Sequence, residues 1–351
     1  MELIGDQNLN NDSTEVEDVE DRSGNGGLNE SYRFTLSQFV RSYEFGITLA
    51  FGILFTLIGV LEPRFWRISN LLRVARSFSF IAATGVGEAL VIITGGIDLS
   101  VGSLMGFAGI LTGWLLYNGM NIWLAILIGL LAGAMAGLLS GILVTKANMP
   151  PLIPTLGMLS IAYSAGLFIT QGMPITSFGK SEDLFISLGS GFMFGIPNPV
   201  IYMLCMVVVG WVFLRKTPLG YALYAIGGNE EACALTGINV DRVKMFAYAA
   251  SGFIASMSGI LLTSRLSVGD ASNGRGSELD VIAAVVIGGV SLAGGRGSVA
   301  GVLVGAAIMG VIRNAMVLLG ISSFLQGIVI GFIIIFAVLL DRIRRWLTSS
   351  D

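Results

Sequence analysis

The chain has 351 residues, 54% of them hydrophobic and only 12% charged, about half the roughly 25% charge of a soluble domain. That balance excludes an ordinary water-soluble enzyme, and the lack of any histidine removes imidazole general-base catalysis and the commonest zinc ligand. Forty-eight glycines against eight prolines suit helices that approach one another closely in a bilayer.

Residues 1 to 30 carry nine carboxylates against the single Arg22. The formal charge of -3 therefore hides a strongly acidic tail on a basic body. Such a segment buries too little apolar surface to offset the cost of ordering, so residues 1–40 are expected to form a disordered cytoplasmic tail. It also lacks the basic, apolar and small-residue succession of a cleaved signal peptide.

A hydrocarbon core about 30 Å thick takes about 20 apolar residues per helix. Ten candidate spans follow: Phe45 to Leu61, Val74 to Ile93, Leu99 to Leu116, Ile122 to Val144, Leu152 to Thr170, Val200 to Leu214, Lys244 to Thr263, Leu279 to Gly294, Val299 to Leu319 and Phe324 to Leu340. The chain thus reads as an all-α polytopic membrane protein of about ten transmembrane helices over residues 41–345, with a short cytoplasmic end at 346–351. The spans near residues 200 and 285 are short, which leaves tilted, re-entrant or shielded arrangements open.

Orientation follows from lysine and arginine in the connections. With both termini inside, twelve basic residues fall on the cytoplasmic side and seven outside, Arg313 lying within a span. The inner side then receives a polar connection at about 215–243, and the outer side one at 171–199. The segment 171–199 is expected to form a small cap.

Glycines at 129, 133, 137 and 141, and the pairs Gly102/Gly106, Gly109/Gly113 and Gly301/Gly305, repeat at four residues. That spacing makes flat helix faces on which another helix can pack. Gly179-Lys180-Ser181 lacks the earlier glycine of a phosphate loop, and Gly295-Arg296-Gly297-Ser298 lacks the strand-and-acid setting of a dinucleotide fingerprint. If ATP drives this protein, the nucleotide site belongs to another polypeptide. The segments Gly95 to Gly102 and Gly288 to Gly295 share the pattern Gly-Gly-aliphatic-x-Leu-small-x-Gly, each after an apolar run. Interrupted helices in corresponding halves often flank a transport path. Glu88 and Arg313 are the deepest intramembrane charges; their depths differ by roughly 10 Å at about 1.5 Å per residue, so no contact between them is expected. Arg313 is expected to snorkel outward instead. Asp98, Glu278 and Asp280 sit at helix ends, where capping and a pathway role are both open.

Several blocks, in order, are similar to the permease subunits of bacterial ATP-binding-cassette importers for ribose and other monosaccharides. They are Ile92 to Ser103, Pro151 to Gly157, Tyr224 to Ala232, Gly237 to Asn239, Glu278 to Ala284, Gly288-Gly289 and Gly294 to Ser298. The resemblance covers roughly residues 40–340. It implies a multi-pass protein of the bacterial inner (plasma) membrane, surrounded by lipid; the lysine and arginine asymmetry places both termini in the cytoplasm. On that resemblance it would be a transporter subunit without catalytic residues, cofactor or metal, and would bind no nucleic acid. The implied partners are a separate ABC ATPase subunit, a periplasmic sugar-binding protein and a second permease chain in a homodimer or heterodimer. By the same resemblance, Gly227, Gly228, Asn229, Glu230, Glu231 and Gly237 would form the segment that docks on the ATPase. The polar candidates for the solute path are Thr94, Asp98, Ser100 and Ser103, with Glu278 and Asp280. The outer segment 171–199 and the Ser264 to Ser277 connection would face the binding protein. The alternative is a proton-coupled secondary transporter using Glu88 or Asp98.

Overall fold

The computed structural model describes residues 43–348, so the acidic tail, the last residues and the boundaries drawn at 40 and 346 lie wholly or partly outside the described residues. Thirteen α-helices occur among the described residues: α1 (Tyr43–Leu61), α2 (Ile68–Ile93), α3 (Val101–Tyr117), α4 (Ile122–Lys146), α5 (Leu152–Thr170), α6 (Glu182–Ser190), α7 (Asn198–Lys216), α8 (Pro218–Gly228), α9 (Glu230–Leu235), α10 (Val240–Leu266), α11 (Ser277–Ile287), α12 (Val299–Leu318) and α13 (Ser323–Thr348). A single small antiparallel hairpin, β1 (Phe192–Met193) with β2 (Ile196–Pro197), follows α6. The chain is a polytopic all-α membrane protein. Among the described residues seven helices are long and apolar enough to cross a bilayer, and α3 and the apolar part of α13 are shorter.

Each expected span coincides with a helix except one. Leu279 to Gly294 is an eleven-residue helix, α11, followed by a folded linker. At about 1.5 Å per residue α11 rises only about 16 Å. The remaining depth is filled by the Ser267 to Gly276 connection, which descends along α3. A Cβ on Gly106 would collide with the carbonyls of Ala271 and Asn273, and one on Gly102 with that of Gly274. Gly102 and Gly106 were expected to seat a helix; they seat a non-helical strand of backbone instead.

With residues 217–239 drawn below, contacts sort the connections into two faces. Below, Lys146 pairs with Asp241 and the amide of Gly295 donates to the carbonyl of Ile93. Above, an Arg64 side-chain N–H reaches the carbonyl of Leu318, and Ile175 bridges Gly269. The 171–199 segment folds on the upper face as α6 and the hairpin. Its Gly179-Lys180-Ser181 sequence is a single 3-10 turn, and the carboxylate of Glu182 already accepts the Phe178 amide 3.0 Å away. An acid in that place repels a phosphate.

The centre of the bundle is α10, packed against α4, α3 and α2, with α12 against α2 and α11. Small residues set the spacing. A Cβ on Gly252 of α10 would overlap the Gly133 carbonyl of α4, one on Gly137 the Tyr248 carbonyl, and one on Gly141 would press on Met245. Between helices with lipid outside, association rests on such close packing and on interhelical hydrogen bonds. An example of the latter is the reciprocal amide pair of Asn70 on α2 and Asn314 on α12, at 3.0 and 2.9 Å. The faces turned outward are apolar, as on α4 with Leu131, Met135 and Leu139.

Gly252→Ala is expected to force α10 from α4 and to cost about 1 to 3 kcal/mol, the usual range for overpacking. Gly46→Ala, on α1 with open space around the new methyl, should leave stability unchanged or slightly improved. Thermal denaturation of the two variants in detergent tests this; equal melting would show that the glycine face does not set the α4–α10 spacing.

Candidate functional site

The two Gly-Gly segments end α2 and α11 with the same cap. Gly95 and Gly289 adopt positive φ, 82° and 87°, which only glycine does without strain. The next amides, of Gly96 and Val290, donate to the carbonyls of Val91 and Val285, both at 3.1 Å. This is the Schellman arrangement. It corrects the register read from the sequence by one residue: Gly95 corresponds to Gly289, not to Gly288.

Beyond the first cap the chain turns back into the protein, and Asp98 organises the turn. Its Oδ1 accepts the Ser100 amide at 2.9 Å and the Ser100 hydroxyl, while Oδ2 accepts the Ser251 hydroxyl of α10 at 3.2 Å. Glu88 Oε1 in turn accepts the Asp98 amide at 3.0 Å. The Tyr248 hydroxyl lies against Gly96. Glu88, Asp98, Ser100 and Ser251 are completely buried, and Thr94 and Ser103 nearly so. Thr94 donates back to the Val91 carbonyl at 2.7 Å. Asp98, through Ser251, therefore fastens the α2–α3 turn to α10 inside one chain. Glycine and aspartate signals exposed the turn in the sequence, but Ser251 and Tyr248, more than 140 positions away, carried no local mark.

Glu278 and Asp280 lie at the start of α11. The Glu278 carboxylate is half-buried and accepts the Gly276 amide at 3.1 and 3.0 Å. Asp280 is buried and forms an ion pair with Arg313 of α12. The expected outward snorkelling of Arg313 is thus wrong: Asp280, one short helix away, offers it a partner at membrane depth. Glu88 and Arg313 are each engaged elsewhere, as their depths required.

On the lower face, α8 and α9 form a compact handle. Pro218 opens α8 after Thr217, whose hydroxyl accepts the Gly220 amide at 3.0 Å. Asn229 ends α8 and caps α9, its Oδ1 accepting the Ala232 amide at 2.9 Å. Gly227 passes directly under both glycine turns: a Cβ there would collide with the Ile93 carbonyl and the Gly295 amide. Tyr224 adds a hydrogen bond from its hydroxyl to the Gly297 carbonyl at 2.9 Å. Glu230 pairs with Lys244 at the foot of α10. Gly228, Asn229, Glu230, Glu231 and Gly237 are exposed, as is Leu235, a large apolar side chain that is 86% exposed on a polar connection. Both cysteines are free thiols, Cys233 of α9 being buried and Cys205 exposed.

Residues 70–338 match the family described as branched-chain amino acid transport system / permease component. The chain is 44% identical over 299 residues to the ribose import permease protein of Bacillus subtilis, covering 85% of this chain and 92% of that protein. It is 40% identical over 298 residues to the ribose import permease protein of Escherichia coli K12, with 85% and 93% covered. The L-arabinose transport system permease protein of the same strain is 35% identical over 325 residues, with 92% and 96% covered. No solved structure gives a significant match.

Asp98→Ala removes the acceptor of three buried donors and is expected to cost about 3 kcal/mol or more, since a hydrogen bond to a charged group contributes about 1.5–3 kcal/mol. Asp98→Asn keeps one carbonyl oxygen for Ser100 and should cost less. Half-lives of thermal inactivation in detergent give the comparison; equal loss in the two variants would remove the capping role.

Proposed function

Because the chain belongs to the permease-component family of branched-chain amino acid transport systems, we propose that it is the membrane-spanning subunit of an ATP-binding-cassette importer for a monosaccharide or related polyol. A separate ATPase subunit drives it, a periplasmic binding protein supplies the solute, and a second permease chain, identical or different, completes the path. The observation that carries the reading is the near full-length similarity to sugar permeases on both sides of the alignment. The family description names amino acids, but the relatives named here are ribose and arabinose permeases.

The chain lies in the bacterial inner membrane with residues 217–239 and both termini in the cytoplasm, so the lower face meets the ATPase. The handle of α8 and α9, with Gly227, Gly228, Asn229, Glu230, Glu231 and Gly237, is the docking segment. Its fit to the task is mechanical. Gly227 touches the turn that ends α2 and the linker that precedes α12, so a push on α8 reaches two long helices without an intervening flexible segment. Lys244 and Asp241 tie the same handle and the foot of α4 to α10. Alternating access then follows from rigid-body movement of packed helices. Thr94, Asp98, Ser100 and Ser103 shape the turn behind the path, and Glu278 and Asp280 hold the start of α11 beside it. A neutral polyol is suited by hydroxyl and amide partners, since unpaired burial of its hydroxyls is costly. Asp98 accepts three hydrogen bonds and Asp280 pairs with Arg313, whereas Glu88 accepts one, from the Asp98 amide, and leaves its Oε2 without a partner. The similarity to sugar permeases, not the state of these acids, favours the importer over a proton-coupled carrier.

Glu231→Lys combined with Leu235→Glu changes two exposed side chains of the handle and should weaken ATPase association at least tenfold while membrane insertion stays normal. Co-purification of the ATPase with the membrane-extracted chain, together with ATP-driven uptake in vesicles, checks it. Undiminished association and uptake would move the docking segment elsewhere.

A further inference from the structure

Most outward-facing side chains of the bundle are apolar, Leu152, Leu156, Ile161 and Phe168 of α5 included, but polar groups interrupt the α5 face midway. On α5, Ser160 and Ser164 are exposed one turn apart, and Tyr163 between them is half-buried. Against Tyr163 lies Arg275 of the descending connection, its guanidinium carbon 4.8 Å from the ring centroid. Arg275 is exposed, and its guanidinium makes no hydrogen bond or ion pair among the described residues. The nearby acids are otherwise engaged: Glu278 with the Gly276 amide, and Asp270 with the amide and hydroxyl of Ser272 at 2.7 and 2.6 Å.

The depth of this face decides what it meets. Tyr163 lies seven residues below the upper end of α5, about 10 Å down at about 1.5 Å per residue. Gly274, next to Arg275, has its carbonyl against Gly102, fifteen residues below the upper end of α3 and thus about 22 Å down. The guanidinium therefore stands within the hydrocarbon layer. Exposure of arginine to lipid there costs about 2.5 to 3.5 kcal/mol on insertion scales, and irregular backbone at that depth is tolerated only where it is buried or lines water. Neighbouring α4 shows what a lipid face looks like, with Leu131, Met135, Leu138 and Leu139.

We infer that the solute path runs along the face made by α5 and the Ser267 to Gly276 connection, and that Arg275 with Tyr163 is a solute-contacting subsite for neutral polyhydroxylated molecules. The guanidinium offers five N–H donors to hydroxyl and ring oxygens, and the tyrosine ring offers a flat apolar surface to the C–H face of a sugar. The exposed positive charge also disfavours small cations in the passage. The inference rests on the importer reading above and assigns the path to different residues from the buried turn at Asp98.

The test uses the assembled importer, this chain with its ATPase and binding protein, in proteoliposomes. Arg275→Cys is treated with a membrane-impermeant cationic thiol reagent, and modification is read by mass spectrometry of the peptide that holds residue 275. An aqueous path predicts modification; a residue 275 that stays unmodified in resting and in ATP-cycling complexes overturns the proposal whatever the cargo. Uptake is then measured with D-ribose and L-arabinose as probes. Arg275→Gln should lower uptake at least tenfold with the complex intact and ATP still hydrolysed, and Arg275→Lys should restore part of it. ATP-driven uptake by the wild-type complex with full uptake by Arg275→Gln overturns the subsite and leaves the importer reading standing. Uptake by the wild-type chain without its ATPase overturns the importer reading instead.

Discussion

Every peptide group placed in hydrocarbon must find a hydrogen-bond partner within the protein, and this constraint governs where the chain is allowed to leave the helical state. It does so at three places within the bundle: residues 94–100, 267–276 and 288–298. Each is enclosed or capped. The first is held by Asp98, Glu88 and Ser251, the second lies in the glycine groove of α3, and the third is tied to the first through Gly295 and Ile93. Side chains at Gly102 or Gly106 would exclude the second segment, so the groove and the discontinuous α11 are one feature.

The same constraint explains how two of the interior acids, Asp98 and Asp280, are held. A carboxylate buried between helices is tolerated when its oxygens receive hydrogen bonds or a cation. Asp98 has the first solution, with three donors on its two oxygens, and Asp280 has the second, with Arg313. Both sit where a helix begins: Asp98 holds the Ser100 amide just before α3, and Asp280 lies in the first turn of α11, where negative charge also suits the helix dipole.

Apolar run length and glycine spacing carried most of the architecture. The helices α1 to α5, α7, α10, α12 and α13 follow from them directly, because a bilayer demands length and apolarity of each segment separately. The α2 and α10 helices extend beyond their expected spans, since Arg73, Asp241, Arg242 and Arg265 interrupt the apolar pattern without ending the helix. The division of the Leu279 to Gly294 span was not legible, because a re-entrant connection and a helix share the same small, weakly polar residues. Four-residue glycine spacing announced a close neighbour but not its kind: α10 for Gly133, backbone without helical form for Gly106. The buried polar turn was half visible. Asp98 stood out beside Gly95-Gly96, whereas Ser251 is one of many serines until the fold brings it within 3.2 Å.

The placement of Gly227 joins these features to the function of the family. At that position the end of α8 meets the Ile93 carbonyl and the Gly295 amide so closely that no side chain fits, and those two groups are themselves hydrogen-bonded. Displacing α8 must therefore move the end of α2 and the linker before α12 together. The two helices are also locked higher up by the Asn70–Asn314 amide pair, so they answer as a unit. That unit carries α11 through the Asp280–Arg313 ion pair, and α11 carries the descending connection. A force applied at the lower face thus reaches membrane depth through rigid contacts alone, in a chain that needs no nucleotide site of its own.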